Sequence, residues 1–168
     1  MNDLDNTVQS ILSLHFFLFL EPSSDRSVGA LQLLKEQLLG NVEQTASNGF
    51  NINLSPSSLD KKNEFGSAEF MLSMITVSNA SAKKEGASDE ELFSSNNQSF
   101  FKILGELKKK KNKGLWWDFY IPFYYDLAKS KHLDTYCYYI SQSSNVTAEE
   151  WVYTHEKELE AFDSWLTR

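Results

Sequence analysis

The sequence predicts an all-α domain, arranged as an antiparallel helical bundle or a short solenoid-like array of six to seven helices. Five stripes of apolar residues follow the i, i+3, i+4 spacing of an α-helix, and only one four-residue stretch alternates as a strand does. Two capping boxes, Ser88 with Glu91 and Thr147 with Glu150, mark helix starts. With 168 residues, 14% of them aromatic, the chain can form one domain around a substantial core, and 1–60 and 61–168 are its alternative sub-units.

The N-terminal third predicts two helices followed by a long loop. An apolar run over 7–20 predicts a buried helix that ends before Pro22. Ser24 or Asp25 caps a second helix, which has leucines on one face. Residues 41–61 lose the helical period. Within them Phe50, Ile52 and Leu54 alternate with asparagines, but a single strand would have no partner, so we predict an irregular loop.

Helical spacing returns at residue 68 and continues to the C-terminus. One helix precedes Gly86. A second begins at the Ser88 box and ends at Gly114, and the poor helix formers over 94–98 favour a break within it. Two shorter helices flank a turn at 129–132, and Thr147 caps one continuous last helix. The apolar stripe of the first of these shorter helices comprises Trp116, Phe119, Tyr120, Phe123, Tyr124 and Leu127.

Charge and hydropathy restrict the classes of partner. The formal net charge is −7, so a phosphate backbone is repelled and we expect no specific nucleic-acid binding. The acids Asp3 and Asp5 occupy the place where a signal peptide is basic. The apolar run 11–20 is far shorter than a membrane span, so we expect no membrane association. These features predict a cytoplasmic protein, and the Asn, Lys and Phe usage is typical of bacteria.

A run of lysines is the most concentrated charge in the chain: Lys108, Lys109, Lys110, Lys111 and Lys113. Basic residues beside tryptophans can bind single-stranded nucleic acid through phosphate contacts and stacking. The interpretation we favour is a solvated helix C-terminus, where cations suit the helix dipole. Residues 100–131 are net basic and residues from 145 onward net acidic, so these segments could also pair copies of the chain head to tail as a homo-oligomer.

Aromatic residues concentrate in 115–139, which holds ten of the 23. They could form a thick core between helices or line a groove that recognises a peptide or a small ligand. Tyr125, Tyr138 and Tyr139 lie off the main apolar stripes. Together with Trp117 they are the residues we assign to a ligand or partner surface.

Motifs of catalysis and metal binding are absent from the sequence. The three histidines are scattered, and the single cysteine, Cys137, lies on a core stripe five residues from His132, on a different helix face. There is no glycine-rich phosphate loop and no nucleophile elbow. We therefore predict no catalytic residues, no metal and no cofactor.

The segment from Tyr124 to Ile140 resembles a tetratricopeptide-type hairpin, with an aromatic-rich helix, a short turn and a helix that begins at Leu133. The turn carries Lys131 where that family usually has glycine, and Tyr136 stands where alanine is usual. The resemblance covers about one hairpin, without a repeat elsewhere. It implies paired helices that bind peptides in a concave groove.

These observations predict a non-enzymatic helical module that binds a protein or a peptide. The alternative is a small-ligand-binding bundle or a small enzyme with a pocket lined by tyrosine and tryptophan. A deep, closed pocket with convergent polar groups would favour the alternative, and an open groove or a dimer interface would favour the module.

Overall fold

The computed structural model describes residues 6–39, 42–45, 49–53, 60, 62–84 and 86–168, with residues 44 and 81–84 described by their backbone only. It confirms the predicted all-α class. The described residues form eight α-helices, one π-helical turn and one small hairpin. The α-helices are α1 (Thr7–Leu20), α2 (Asp25–Leu38), α3 (Gly66–Lys84), α4 (Asp89–Leu107), α5 (Ile121–Lys129), α6 (Leu133–Ser141), α7 (Val146–Thr154) and α8 (Glu156–Leu166).

The prediction of an irregular loop over 41–61 is wrong in its middle. Two short strands, β1 (Val42–Gln44) and β2 (Phe50–Ile52), pair antiparallel with Glu43 opposite Asn51. The alternation in Phe50–Ile52 was therefore a strand signal, and its partner is the three-residue strand just before the turn. The rest of the predicted loop at 41, 46–48, 54–59 and 61 lies outside the described residues, as do Asp3 and Asp5.

Helices α1 and α4 organise the core. Helix α1 packs on α2 and α6, while α4 packs on α3, α5 and α6. Side chains from Val8 to Phe162 form one continuous buried cluster, which joins both of the proposed sub-units. The prediction that α1 is buried all round is correct for one face only. Its fully buried residues lie on a single stripe, Val8, Ile11, Leu12, His15 and Leu18, while Leu20 is 67% exposed.

Helix α4 forms as one unbroken helix despite its polar middle. Its N-terminus has the predicted capping box: Ser88 Oγ accepts from Glu91 N at 3.1 Å and Ser88 N donates to Glu91 Oε2 at 2.9 Å. In the middle, Asn97 is fully buried and its Nδ2 donates to Cys137 Sγ at 3.7 Å. This contact to α6 favours a helical backbone where local propensity does not.

Contrary to the prediction, α4 does not extend to Gly114. It ends at Leu107, because Lys108 has an extended backbone. The lysine run therefore follows the helix as a turn instead of forming its last turn.

A π-helical turn, Trp116–Tyr120, precedes α5 and changes which aromatic residues are buried. Its wider turn shifts the buried face by one residue. Trp117 is only 1% exposed, stacks on Phe65 and donates from Nε1 to Glu64 Oε2 at 2.8 Å, whereas Phe119 is 49% exposed. The predicted stripe is thus correct at Tyr124 and Leu127 but wrong at Phe119, and Trp117 is a core residue, not a surface residue.

The sequence predicted one continuous last helix, but the structure has two, α7 and α8. The number of α-helices in the described residues is therefore eight instead of seven. The break lies at His155, whose Nδ1 is 2.9 Å from the Trp151 carbonyl. The N-cap of α7 is Asn145, whose Oδ1 accepts from Ala148 N at 3.1 Å, so the predicted Thr147 box is wrong. No helix in the described part of the chain has the length and apolar content needed to cross a membrane.

Candidate functional site

Three of the four aromatic residues assigned to a surface from the sequence pack inside or between helices. Trp117 is in the core. Tyr125 lies against Gly105 of α4, and the Lys129 ammonium is 4.6 Å from its ring centroid. Tyr139 is half-buried against Phe19 of α1, and burial raises its pKa. Only Tyr138 opens onto a cleft.

This cleft, which we call the α4 cleft, has a volume of about 330 Å³ and lies between the N-terminal half of α4, α6 and α7. One wall is aromatic. The rings of Tyr138 and Trp151 stack in parallel at 4.5 Å, and His155 stacks on Trp151 at 4.2 Å. A stack of three rings from α6, α7 and the α7–α8 junction is a rigid wall, because each ring restricts its neighbour.

In the described part of the chain, four carboxylates and one lysine line the cleft. Its lining includes the acids Asp89, Glu90, Glu91 and Asp134 and the base Lys35. Among the described residues no lysine or arginine forms an ion pair with Glu90, Glu91 or Asp134. The carboxylates are positioned by neutral groups: Asn145 Nδ2 donates to Glu90 Oε1 at 2.9 Å, and Ser94 Oγ donates to Asp134 Oδ1.

The electrostatics of the cleft favour a cation. The Asn145 hydrogen bond keeps the pKa of Glu90 below its usual value. Burial raises the pKa of Tyr138, and the carboxylates of Glu90, Asp134 and Glu91 add to that increase. The cleft is therefore anionic at neutral pH, with an aromatic wall beside the charge, an arrangement that suits ammonium or guanidinium groups.

Buried polar atoms line the inner side of the cleft. Cys137 and Ser141 of α6 both line it and are each 5% exposed. Burial raises the pKa of the Cys137 thiol to about 12, so the sulfur stays protonated at neutral pH and is a poor nucleophile. Within the described part of the chain, the Ser141 hydroxyl has no hydrogen-bond partner, so it is free to bind a ligand in the cleft.

A second cavity of about 320 Å³ adjoins the α4 cleft on the side of α2 and α3. Both are lined by Lys35, Asp89 and Phe93, and the Lys35 Nζ lies 5.5 Å from the Phe93 ring centroid. The second cavity continues past Leu39, Thr76 and Asn96. The two cavities are therefore neighbours that share part of their lining at the first turns of α4.

The lysine run lies at the other end of α4. Lys109, Lys110, Lys111 and Lys113 are exposed, while Lys108 donates from Nζ to the Trp117 carbonyl and lies 3.5 Å from Asp118 Oδ1. Lys109 and Lys111 also border a polar cavity of about 560 Å³ that includes Asp60 and Glu64. Because these acids share the cavity, it is not a purely cationic site for an anion.

Comparison of this chain with models of protein families, with curated proteins and with solved structures finds no match in any of the three. The tetratricopeptide resemblance of the segment from Tyr124 to Ile140 therefore remains a prediction. Among the described residues no group of three or more His, Cys, Asp or Glu side chains has the geometry of a metal site.

Sequence reasoning found Tyr138 but missed the rest of the α4 cleft. Neither Trp151 nor Glu90 was among the residues assigned to a ligand or partner surface from the sequence. Asp134 is 40 residues away from its partner Ser94, so no local pattern connects them. The one signal in the sequence was that Tyr138 lies off the apolar stripe of its helix. A helix that packs only through its apolar stripe leaves such a residue exposed.

Proposed function

We propose that the protein is a non-enzymatic interaction module that binds a protein or peptide segment carrying a lysine or arginine side chain, and that the α4 cleft receives that side chain. The observation that carries the proposal is the Tyr138–Trp151 wall, stacked at 4.5 Å, beside the carboxylates of Glu90, Glu91 and Asp134, which have no cationic partner among the described residues. Tyr138 and His155 cover the two faces of Trp151, so a cation in the cleft would lie against the negative charge and either the edge of the stack or the free face of Tyr138.

The neighbouring second cavity supports a peptide segment over a compact small molecule. Because the two cavities share Lys35 and Phe93, a chain could lie across α4 with one basic side chain in the α4 cleft and another side chain in the second cavity. Lys35 would repel a second cation there and pair with an acidic residue of the same segment. This charge pattern fixes the direction in which a segment binds.

The chemistry of the cleft supports binding more than catalysis. The Cys137 thiol is held protonated, and the pKa of Glu90 is lowered, so neither group is poised to exchange a proton near neutral pH. The predictions of a cytoplasmic location and of no specific nucleic-acid partner belong to this proposal and keep their basis in the sequence.

The proposal is tested with a fluorescent pentapeptide that has a central arginine between glycine and serine residues, measured by anisotropy. We expect Asp134→Asn to weaken binding about fivefold, the effect of about 1 kcal/mol at a partly exposed charge pair. The matched control is Asp163→Asn, an exposed acid on α8 with the same change of charge. Equal affinities of the two variants, or equal binding of a peptide with central glutamate, would refute the proposal.

The second candidate is a small organic cation. It is favoured by the cleft volume of about 330 Å³, which is near the lower limit of small-molecule sites. Titration with 1,4-diaminobutane distinguishes the two. If the diamine binds more tightly than the arginine peptide and Asp134→Asn weakens it, the cleft is a small-ligand site.

A further inference from the structure

We propose that the basic segment recognised by the α4 cleft is the lysine turn of a second copy of this chain, so that copies associate head to tail. This inference rests on the proposed function, because it names the partner of the same cleft. Its basis is that one molecule presents both halves of a complementary contact, and that α4 holds them at opposite ends.

The lysine turn consists of residues 109–112, and we call it the knob. Its backbone conformation is fixed before it binds. Asn112 N donates to the Lys109 carbonyl at 2.9 Å, which closes a turn with Lys110 and Lys111 at its two central positions. The Asn112 side chain, only 6% exposed, accepts from Lys109 N at 2.9 Å and fixes the same turn from inside. The two central lysines are exposed, so little backbone ordering is needed when the knob binds.

The helix dipoles account for the acidic end but not for the basic one. Glu90 and Glu91 lie in the first turn of α4 and Asp134 lies in the first turn of α6, where negative charge is favoured. The last turn of α4 has no basic residue, since the lysines begin only after the helix ends. The position of the lysines therefore needs a reason other than a helix dipole, and recognition by the α4 cleft of a second copy supplies one.

The contact must form between copies. Helix α4 has 19 residues, which at about 1.5 Å per residue separates its ends by about 28 Å. A knob at one end cannot reach a cleft at the other end of the same rigid helix. Contact in trans uses two different surfaces of each copy. It either closes as a two-fold dimer, in which each knob meets the cleft of the other copy, or continues from copy to copy as a chain.

Salt should affect this association in two ways. The net charge of −7 repels copies at long range, whereas the knob and cleft attract at contact. At about 0.1 M salt the screening length is about 10 Å, which removes most of the repulsion between whole molecules and leaves contact pairs. At about 1 M salt it falls to about 3 Å and the attraction is also lost.

The test is sedimentation equilibrium at about 0.1 M salt over a concentration series. The cleft variant carries Glu90→Gln and Asp134→Asn, and the knob variant carries Lys110→Gln and Lys111→Gln. We expect the wild type to exceed its monomer mass of 19.3 kDa as its concentration rises, and each variant to associate about tenfold more weakly. The cleft variant is less negatively charged than the wild type, so general repulsion would predict the opposite change.

The control variant carries Lys131→Gln and Lys157→Gln, two exposed lysines away from the knob, and has the same net charge as the knob variant. It should associate as the wild type does. An equal mixture of cleft and knob variants retains one intact cleft and one intact knob per pair, so it should reach twice the monomer mass and stop there.

Two results would overturn the inference: a wild type that stays monomeric throughout, or association that neither variant weakens relative to the control. The arginine peptide separates this inference from the proposed function. If copies do not associate but the peptide still binds and depends on Asp134, the cleft binds another partner. If the peptide also fails, both proposals are wrong.

Discussion

His15 of α1 is a fully buried polar residue whose partner is far away in the sequence. Tyr136 Oη donates to the His15 carbonyl at 3.2 Å and lies 2.9 Å from His15 Nδ1. Burial lowers the pKa of His15 to about 3, against a smaller increase from Asn97, so the ring is neutral in the folded protein.

This burial makes stability depend on pH. The folded pKa lies below the unfolded value of about 6.5, so between about pH 6.5 and 3 the unfolded chain binds a proton that the folded chain does not. The contribution of neutral His15 to the free energy of unfolding is therefore complete well above pH 6.5 and is lost as the pH falls toward 3. We expect a loss of about 2 kcal/mol between pH 7 and pH 5 from this group.

Urea unfolding of the wild type and of His15→Gln at pH 7 and pH 5 measures the effect. Glutamine does not titrate, so the variant should lose about 2 kcal/mol less than the wild type over this range, whatever its stability at pH 7. Parallel pH dependences for the two proteins would contradict a neutral, buried His15.

At the scale of helices, the start of α7 depends on Asn145. Its side chain accepts from Ala148 N at 3.1 Å and donates to Glu90 of α4 at 2.9 Å. We expect Asn145→Ala to lower the free energy of unfolding by about 1 kcal/mol, the usual effect of losing an N-cap. The control is Thr147→Ala at the cap position that the sequence suggested, which should change stability by less than about 0.5 kcal/mol. Chemical denaturation measures both variants. A larger loss of stability for Thr147→Ala than for Asn145→Ala would show that Thr147 is the N-cap.

Two helical glycines give a matched test of the packing between α4 and α5. A Cβ added at Gly105 would lie 2.1 Å from Tyr125 Cδ2, whereas one at Gly29 of α2 meets nothing within 4 Å. Gly105→Ala should cost about 1–3 kcal/mol through overpacking, and Gly29→Ala should stabilise by about 0.5–1 kcal/mol through helix propensity. Thermal unfolding compares them. A neutral Gly105→Ala would mean that Tyr125 moves aside without loss.

Helices were predictable here where apolar spacing was regular, and unpredictable where a tertiary contact overrides it. The apolar stripes of α1, α2 and α6 could be predicted from local periodicity alone. The π-helical turn depends on the fit of Trp117 beside Phe65 and its bond to Glu64, 53 residues away, which no spacing rule contains. The break at His155 likewise follows from ring stacking and a bond to a backbone carbonyl.

At the scale of the whole molecule, charge is separated along α4, with the carboxylates of the α4 cleft at one end and the lysine turn at the other. The sequence predicted two oppositely charged segments but placed the acidic one after residue 145. The cleft acids come instead from α4 and α6, because packing brings Asp134 beside Ser94. The predicted candidate site was thus correct at Tyr138, and the rest depends on contacts between distant residues.

The central claim, that the α4 cleft binds a basic side chain, is tested most directly by following the indole N–H signals of the four tryptophans in a ¹H–¹⁵N spectrum. The arginine pentapeptide is titrated into the Lys110→Gln, Lys111→Gln variant, so that the lysine turn of a second copy does not compete. We predict that the Trp151 signal shifts saturably while that of the buried Trp117 stays unchanged. Shifts confined to Trp116 or Trp165, or no saturable shift at Trp151, would contradict the claim.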